Sequence, residues 1–213
     1  MKKIVRWVAE KLFSFPGLLL FSKIIFPVKE VKREKDKKIF HQIWTSVWQE
    51  EGYAHEGEPL PEIETHYQLF DPYSTDILIW YLGIIPIGTA RIIWENNEVG
   101  LPVLNDFEVA PCWNGLVAEI TLLTLKREWR GIIIPTLLLF RKVYKLTKEK
   151  GLDGIVMAAD IRLFRFLRKM FPIKKIGKEK FYEGSITVPC CLIFSEAERI
   201  VESSNPKLYC FFR

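Results

Sequence analysis

Apolar residues recur along this chain with two different periods, and the places where the period changes mark its elements. Residues 26–33 alternate as a strand does, and Ile39, Phe40, Ile43, Trp44, Val47 and Trp48 then repeat on one helical face, which predicts a helix ending near Gly52. A loop rich in Gly, Pro and Glu over 52–64 leads to Asp71-Pro72-Tyr73-Ser74, a turn signal. Residues 77–82 and 87–94 follow as a hairpin closed by Gly83-Ile84-Ile85-Pro86, and Glu95-Asn96-Asn97-Glu98 predicts the next turn. A strand over 117–125 precedes Gly131 and a helix whose first position is Pro135 and which Gly151 stops. Residues 154–159 read as a buried strand, and Asp160 caps a helix with the apolar stripe Leu163, Phe164, Phe166, Leu167 and Met170. A pair of strands over 181–194 and a short final helix over 197–201 complete the chain. This order predicts an α/β protein with a mixed sheet and helices on its faces.

Composition limits what such a chain does. Its 213 residues are 49% hydrophobic and include fifteen Phe and seven Trp, which excludes a disordered protein. No Ser/Pro/Gly-rich linker divides it, so one domain is expected over 26–213 with an extension over 1–25. That extension holds Trp7, Phe13, Phe15 and Phe21 among Lys2, Lys3, Arg6, Lys11 and Lys23, and Pro16, Gly17 and Lys23 break its apolar run below the length of a bilayer span. It either packs on the domain or lies in a membrane interface, which would make the protein cytoplasmic and peripheral to the inner face of the membrane. Cys190 and Cys191 are adjacent in an apolar run, and Cys112 and Cys210 have no framework spacing, as suits a reducing compartment. With no CxxC and only His41, His55 and His66, no metal is expected.

Charge is concentrated in the second half, where residues 126–180 carry sixteen Lys/Arg against five acids. Without a nucleic-acid-binding motif, this favours an acidic protein partner over nucleic acid.

The segment 119–131, EITLLTLKREWRG, resembles the strand, turn and helix start of the GNAT superfamily. That resemblance implies a mostly antiparallel sheet flanked by helices, and a donor pyrophosphate resting on backbone amides around Leu125, Arg130, Gly131, Ile132 and Ile133. Where the superfamily carries its second glycine, a small residue and a Gln or Arg, this chain has Ile133, Pro135 and Glu128. Residues 87–109, IGTARIIWENNEVGLPVLNDFEV, and 177–190, GKEKFYEGSITVPC, are similar to acyl-homoserine-lactone synthases, N-acyl amino acid synthases and exosortase-associated acyltransferases. This branch implies no permanently bound cofactor, an acyl group donated by acyl carrier protein or acyl-CoA, and a small amine acceptor. The Arg near Trp44 and the second acid before Asp71 that mark lactone synthases are missing, so another N-acyl product is expected.

An amine that attacks a thioester must lose a proton, so the site needs a base and fixed oxyanion donors. Glu119 is the candidate base, or else pairs with Arg91 from the neighbouring strand. Arg91 would orient Glu119 or a substrate carboxylate. Asp71 either holds the amine or makes an Asx turn before Pro72. Tyr182 either reprotonates the leaving thiolate or packs beside Phe181. Lys142, Lys145, Lys148, Arg162, Arg165, Arg168 and Lys169 form either a docking surface for acyl carrier protein or a solvated face. Leu122, Leu123, Leu137, Leu138, Leu139, Phe140 and Phe164 would line an acyl tunnel or fill an ordinary core. An acetyl-CoA-dependent N-acetyltransferase and a non-catalytic carrier- or lipid-binding domain are the competing readings.

Overall fold

The computed structural model describes residues 22–52, 66–182 and 184–212. Its elements are β1 (Val28–Glu30), α1 (Glu34–Glu51), β2 (Ser74–Tyr81), β3 (Ile85–Trp94), α2 (Pro102–Asp106), β4 (Val117–Leu125), α3 (Ile133–Glu149), β5 (Gly154–Asp160), α4 (Ile161–Leu167), β6 (Lys174–Lys175), β7 (Lys180–Tyr182), β8 (Ser185–Ile193), α5 (Phe194–Ser204) and α6 (Pro206–Phe212). The strands form one sheet in the order β1-β2-β3-β4-β5-β8-β6, with β7 also on β8. β4 and β5 run parallel, and the other pairs are antiparallel. The expected mixed, mostly antiparallel sheet with flanking helices is thus the fold.

Alternation along the strands divides the apolar residues between two faces. Ile77, Ile79, Ala118, Ile120, Met157 and Cys190 turn toward Leu137, Leu139 and Val143 of α3, with Phe194 of α5 and Phe211 of α6 in the same core. On the opposite face Leu78 and Leu122 meet Phe40, Trp44 and Trp48 of α1, while Ile93, Val156 and Cys191 meet Val103 of α2. Helix α1 ends as its pattern predicts, with Gly52 at φ 71 and its N–H on Gln49 and Trp48 carbonyls.

Several boundaries differ from the sequence expectations. Pro135 is the third residue of α3 rather than the first, because none of the first-turn N–H groups has an intrahelical partner and any of those positions tolerates proline. The hairpin turn is tighter than expected: Leu82 and Gly83 take positive φ of 51° and 69°, and Pro86 lies inside β3 at a register shift opposite Trp80. The helix expected over 197–201 is the longer α5, and it is not the last, since α6 follows. Helix α2 and strand β6 were not foreseen, being too short to show a period. The membrane-contact expectation for 1–25 rests largely on residues 1–21, and the loop expectation on 53–65, both outside the described residues. Among the described residues no helix is long and apolar enough to cross a membrane.

Cys190, fully buried on β8, has its thiol pushed up by burial, with the neighbouring Cys191 adding to the shift. An acid whose folded pKa is raised contributes stability that is complete below the unfolded thiol value, about 8.5, and is lost as pH rises above it. Over about pH 9–11, wild type is expected to lose about 1.4 kcal/mol per pH unit more than a Cys190→Ala variant. Urea unfolding at stepped pH measures both slopes, and equal slopes would show that the thiol ionises in the folded protein.

Candidate active site

The sheet opens where β4 and β5 part. They pair only between residues 117–119 and 154–156, after which 120–125 and 157–160 diverge without a ladder. A bulge in β4 accompanies the divergence: Thr89 faces Thr124 and Arg91 faces Thr121, so Leu122 and Leu123 stand against Ala90 alone. Leu122 takes φ 49°, a left-handed conformation that costs an ordinary residue about 1–2 kcal/mol. The buried Thr89 hydroxyl holds it, bonding the Leu122 carbonyl at 2.8 Å and the Thr124 hydroxyl at 2.6 Å. By simple alternation Leu122 would join Ile120 on the α3 face, and the bulge turns it to α1 instead.

The resulting cleft has a volume of about 490 Å3. Leu122, Leu123, Leu125, Leu139, Leu163 and Phe166 supply apolar wall, α1 contributes Trp48 and Glu51, α2 contributes Val103 and Asp106, and Tyr182 stands at one side. Of the residues expected to line a tunnel, Leu137, Leu138, Phe140 and Phe164 instead belong to the α3-side core.

Glu119 sits in this cleft just before the strands part and is 2% exposed. Its Oε2 accepts the Val103 N–H at 2.8 Å, in the first turn of α2, where no intrahelical carbonyl is available. Pro102 takes the preceding position, where a missing N–H costs nothing. The segment GLPVL therefore leads into a short helix, Pro102–Asp106, capped by a carboxylate from β4.

The expected Arg91–Glu119 pair does not form. The register sets Glu119 against Ile93, while Asp76 of β2 stands directly across from Arg91. Arg91 donates from Nε and Nη2 to the two Asp76 oxygens at 2.6 and 3.0 Å and from Nη1 to the Tyr67 carbonyl at 3.0 Å, and Asp71 Oδ1 lies 2.8 Å from Nη1. Burial opposes the guanidinium charge, but Asp76 and Asp71 outweigh it and hold the group above its ordinary pKa. Arg91 and Asp71 border a smaller hollow beside α1 rather than the main cleft, so Asp71 is engaged by Arg91 and opens the 3-10 turn Asp71–Tyr73.

Tyr182 packs its ring on Phe107, 5.1 Å between centroids, and not on Phe181, which is 72% exposed. Its hydroxyl donates to Asp106 Oδ2 at 2.6 Å, so the proton expected for a leaving thiolate is held by a carboxylate. His66 Nε2 is 3.9 Å from the same oxygen. Neither Asp106 nor His66 was singled out from the sequence, and their only signal there was proximity to the GLPVL and Asp71 motifs.

Leu125, Arg130, Gly131, Ile132 and Ile133 all line the cleft, at its mouth. Arg130 donates from Nε to the Leu125 carbonyl at 2.8 Å and pairs with Glu51 and with Glu50 at 3.5 Å. Glu51 also meets Arg162 at 3.1 Å, and Arg162 meets Asp160 at 3.1 Å, so one acid of α1 ties the two walls together. Within the basic stripe, Lys142 pairs with Glu30 at 2.6 Å and Lys148 with Glu198 at 3.0 Å. Lys145, Arg165, Arg168 and Lys169 have no salt-bridge partner among the described residues.

Residues 43–196 match the family model of the N-acyl amino acid synthase FeeM. No curated protein matches the chain. Among solved structures, FeeM, an N-acyl amino acid synthase from uncultured soil microbes, aligns with a TM-score of 0.65 at 16% identity, over 82% of this chain and 93% of its own. The acyl-homoserine-lactone synthase LasI aligns with a TM-score of 0.57 at 17% identity, over 79% and 89%. An acetyltransferase from Streptococcus agalactiae 2603 aligns with a TM-score of 0.57 at 10% identity, over 80% and 99%. These likenesses share the fold described above.

Asp76→Ala leaves the Arg91 charge buried without its main partner and is expected to cost about 3–5 kcal/mol. Asp71→Asn, at a carboxylate 55% exposed, is expected to cost less than about 1 kcal/mol. Urea unfolding of both variants checks the contrast, and a mild Asp76→Ala would mean that Tyr67 and Asp71 suffice for Arg91.

Proposed function

Because the chain belongs to the N-acyl amino acid synthase FeeM family and is an N-acyltransferase, we propose that it moves a fatty acyl group from acyl carrier protein to the amine of an amino acid or a similar small acceptor. The observation that carries this reading is the apolar cleft between the diverging strands with the buried carboxylate of Glu119 at its head. The acyl chain lies along Leu122, Leu123, Leu139 and Phe166, and the thioester carbonyl sits at the bulge, whose unpaired backbone serves as oxyanion donor. Glu119 takes one proton from the acceptor's ammonium, directly or through a water. The freed amine attacks the thioester carbon, the C–S bond breaks, the thiolate takes the amine's second proton, and the third remains on the amide.

Two features favour a carrier protein over free CoA. A pyrophosphate seat needs free N–H groups and positive charge at the start of α3, but Pro135 has no N–H to give and Arg130 is already engaged by Glu50 and Glu51. Arg165, Arg168 and Lys169, without a salt-bridge partner among the described residues, lie on and just after α4, outside the cleft lining, as suits an acidic protein that docks without entering.

Incubation with pooled amino acids and either a long-chain acyl carrier protein or acetyl-CoA, read by mass spectrometry, tests the reading. The amide is expected with the carrier alone, and product with acetyl-CoA alone would overturn the choice of donor. Glu119→Gln is expected to lower kcat about 100- to 1,000-fold while the carrier complex survives in native mass spectrometry. Reversing charge at Arg165 and Arg168 together is expected to slow carrier association about tenfold at low salt, with the difference shrinking as salt rises.

A further inference from the structure

Among the described residues four carboxylates line the cleft: Glu51, Asp106, Glu119 and Asp160. Glu51 and Asp160 are engaged by arginines, and Glu119 accepts the Val103 N–H. Asp106 is different. Its Oδ2 accepts the Tyr182 hydroxyl at 2.6 Å with His66 Nε2 at 3.9 Å, while its Oδ1 has no hydrogen bond and no arginine or lysine pairs with it. The Lys180 ammonium donates to the Asp106 backbone carbonyl and lies over the Phe107 ring at 4.4 Å. His66 is held edge-on by Tyr67 at 5.3 Å and Phe70 at 5.5 Å, and its Nε2 is buried with no hydrogen-bond partner.

We propose that Asp106 is the seat of the acceptor, binding a primary amine as its ammonium through Oδ1. The proposal rests on the reading above that the acceptor is an amine. Tyr182 is a positioning residue that holds Oδ2 on the protein side and leaves Oδ1 for the cleft, with the His66 ring beside it. Helix α2 fixes the spacing, because Val103, bonded to Glu119, and Asp106 are three residues apart, about 4.5 Å along the helix axis. Both ends of α2 are tied to the sheet, one by Glu119 and the other by Tyr182 and Lys180. An ammonium on Asp106 therefore waits one short helix from the group that removes its proton. A carboxylate that no arginine or lysine side chain pairs with among the described residues, in a partly apolar cleft, also favours uptake of a cation over an anionic or neutral acceptor.

The test titrates the full chain with n-butylammonium chloride, and with n-butanol as the uncharged control, following the backbone amide resonances of Asp106 and Lys180 by NMR. Saturable shifts are expected with the ammonium and not with the alcohol. Asp106→Asn is expected to weaken binding at least about tenfold, the loss of one charge-assisted hydrogen bond, and Asp106→Glu to restore part of it. In turnover, Asp106→Asn is expected to raise the acceptor KM by a similar factor with the donor KM unchanged. No saturable shift in wild type, or equal binding by Asp106→Asn with its amide spectrum intact, would overturn the proposal. Binding of n-butylammonium without amide formation from any donor would instead overturn the acyl-transfer reading alone.

Discussion

Two hydrogen bonds at one buried hydroxyl, Thr89 donating to the Leu122 carbonyl and accepting from the Thr124 hydroxyl, hold the kink on which the rest of the site depends. A sheet with no irregularity in β4 would continue its pairing and leave no room between its middle strands. With the bulge in place, β4 gives two residues to one of β3, twists more strongly, and parts from β5 after three residue pairs. The left-handed Leu122 is a local cost that the buried threonine pair and the α1 aromatics together offset. Cleft, Glu119 and helix α2 all take their positions from that one irregularity.

Polar groups in the core follow the same logic of partner supply. Arg91 is buried because Asp76 stands opposite it in the hairpin and Asp71 and the Tyr67 carbonyl close around it. Glu119 is buried where a short helix offers an N–H that nothing inside that helix accepts. These are two separate solutions on one face of the sheet, one structural and beside α1, the other in the cleft. Their separation gives Arg91 to the hairpin and leaves the Glu119 carboxylate in the cleft, outside the Arg91 network.

Most elements were legible from the sequence because they depend on period and punctuation. The 117–125 strand, the Gly52 and Gly151 helix ends and the Asp160 cap, which accepts the Arg162 N–H at 2.7 Å, all follow from local pattern. Partner choice was not legible. Whether Arg91 meets Glu119 or Asp76 depends on strand register, and a single bulge changes register without changing composition. Asp106 and His66 were missed for the same reason: they are 40 residues apart, and only the fold of α2 against β7 brings them beside Tyr182. The cleft mouth, with Glu51 bridging Arg130 and Arg162, is likewise a product of three elements that no local window contains.

The distribution of charge over the site carries one more step. At the cleft, Arg130 and Arg162 are paired with Glu50, Glu51 and Asp160, so a donor arriving there finds little net positive charge to grip a chain of phosphates. Outside it, Arg165, Arg168 and Lys169 have no salt-bridge partner among the described residues, and such surface cations act at a distance, through the rate of encounter rather than the depth of binding. A small nucleotide donor gains most from the first kind of arrangement and a folded acidic carrier from the second. If the donor comes on such a carrier, its own protein surface supplies the affinity, and the cleft needs only to admit a thin acyl chain and its thioester. On that reading Ile133 and Pro135 in the first turn of α3 are not a loss of function. They would then be what remains when recognition moves from backbone amides to the surface of α4.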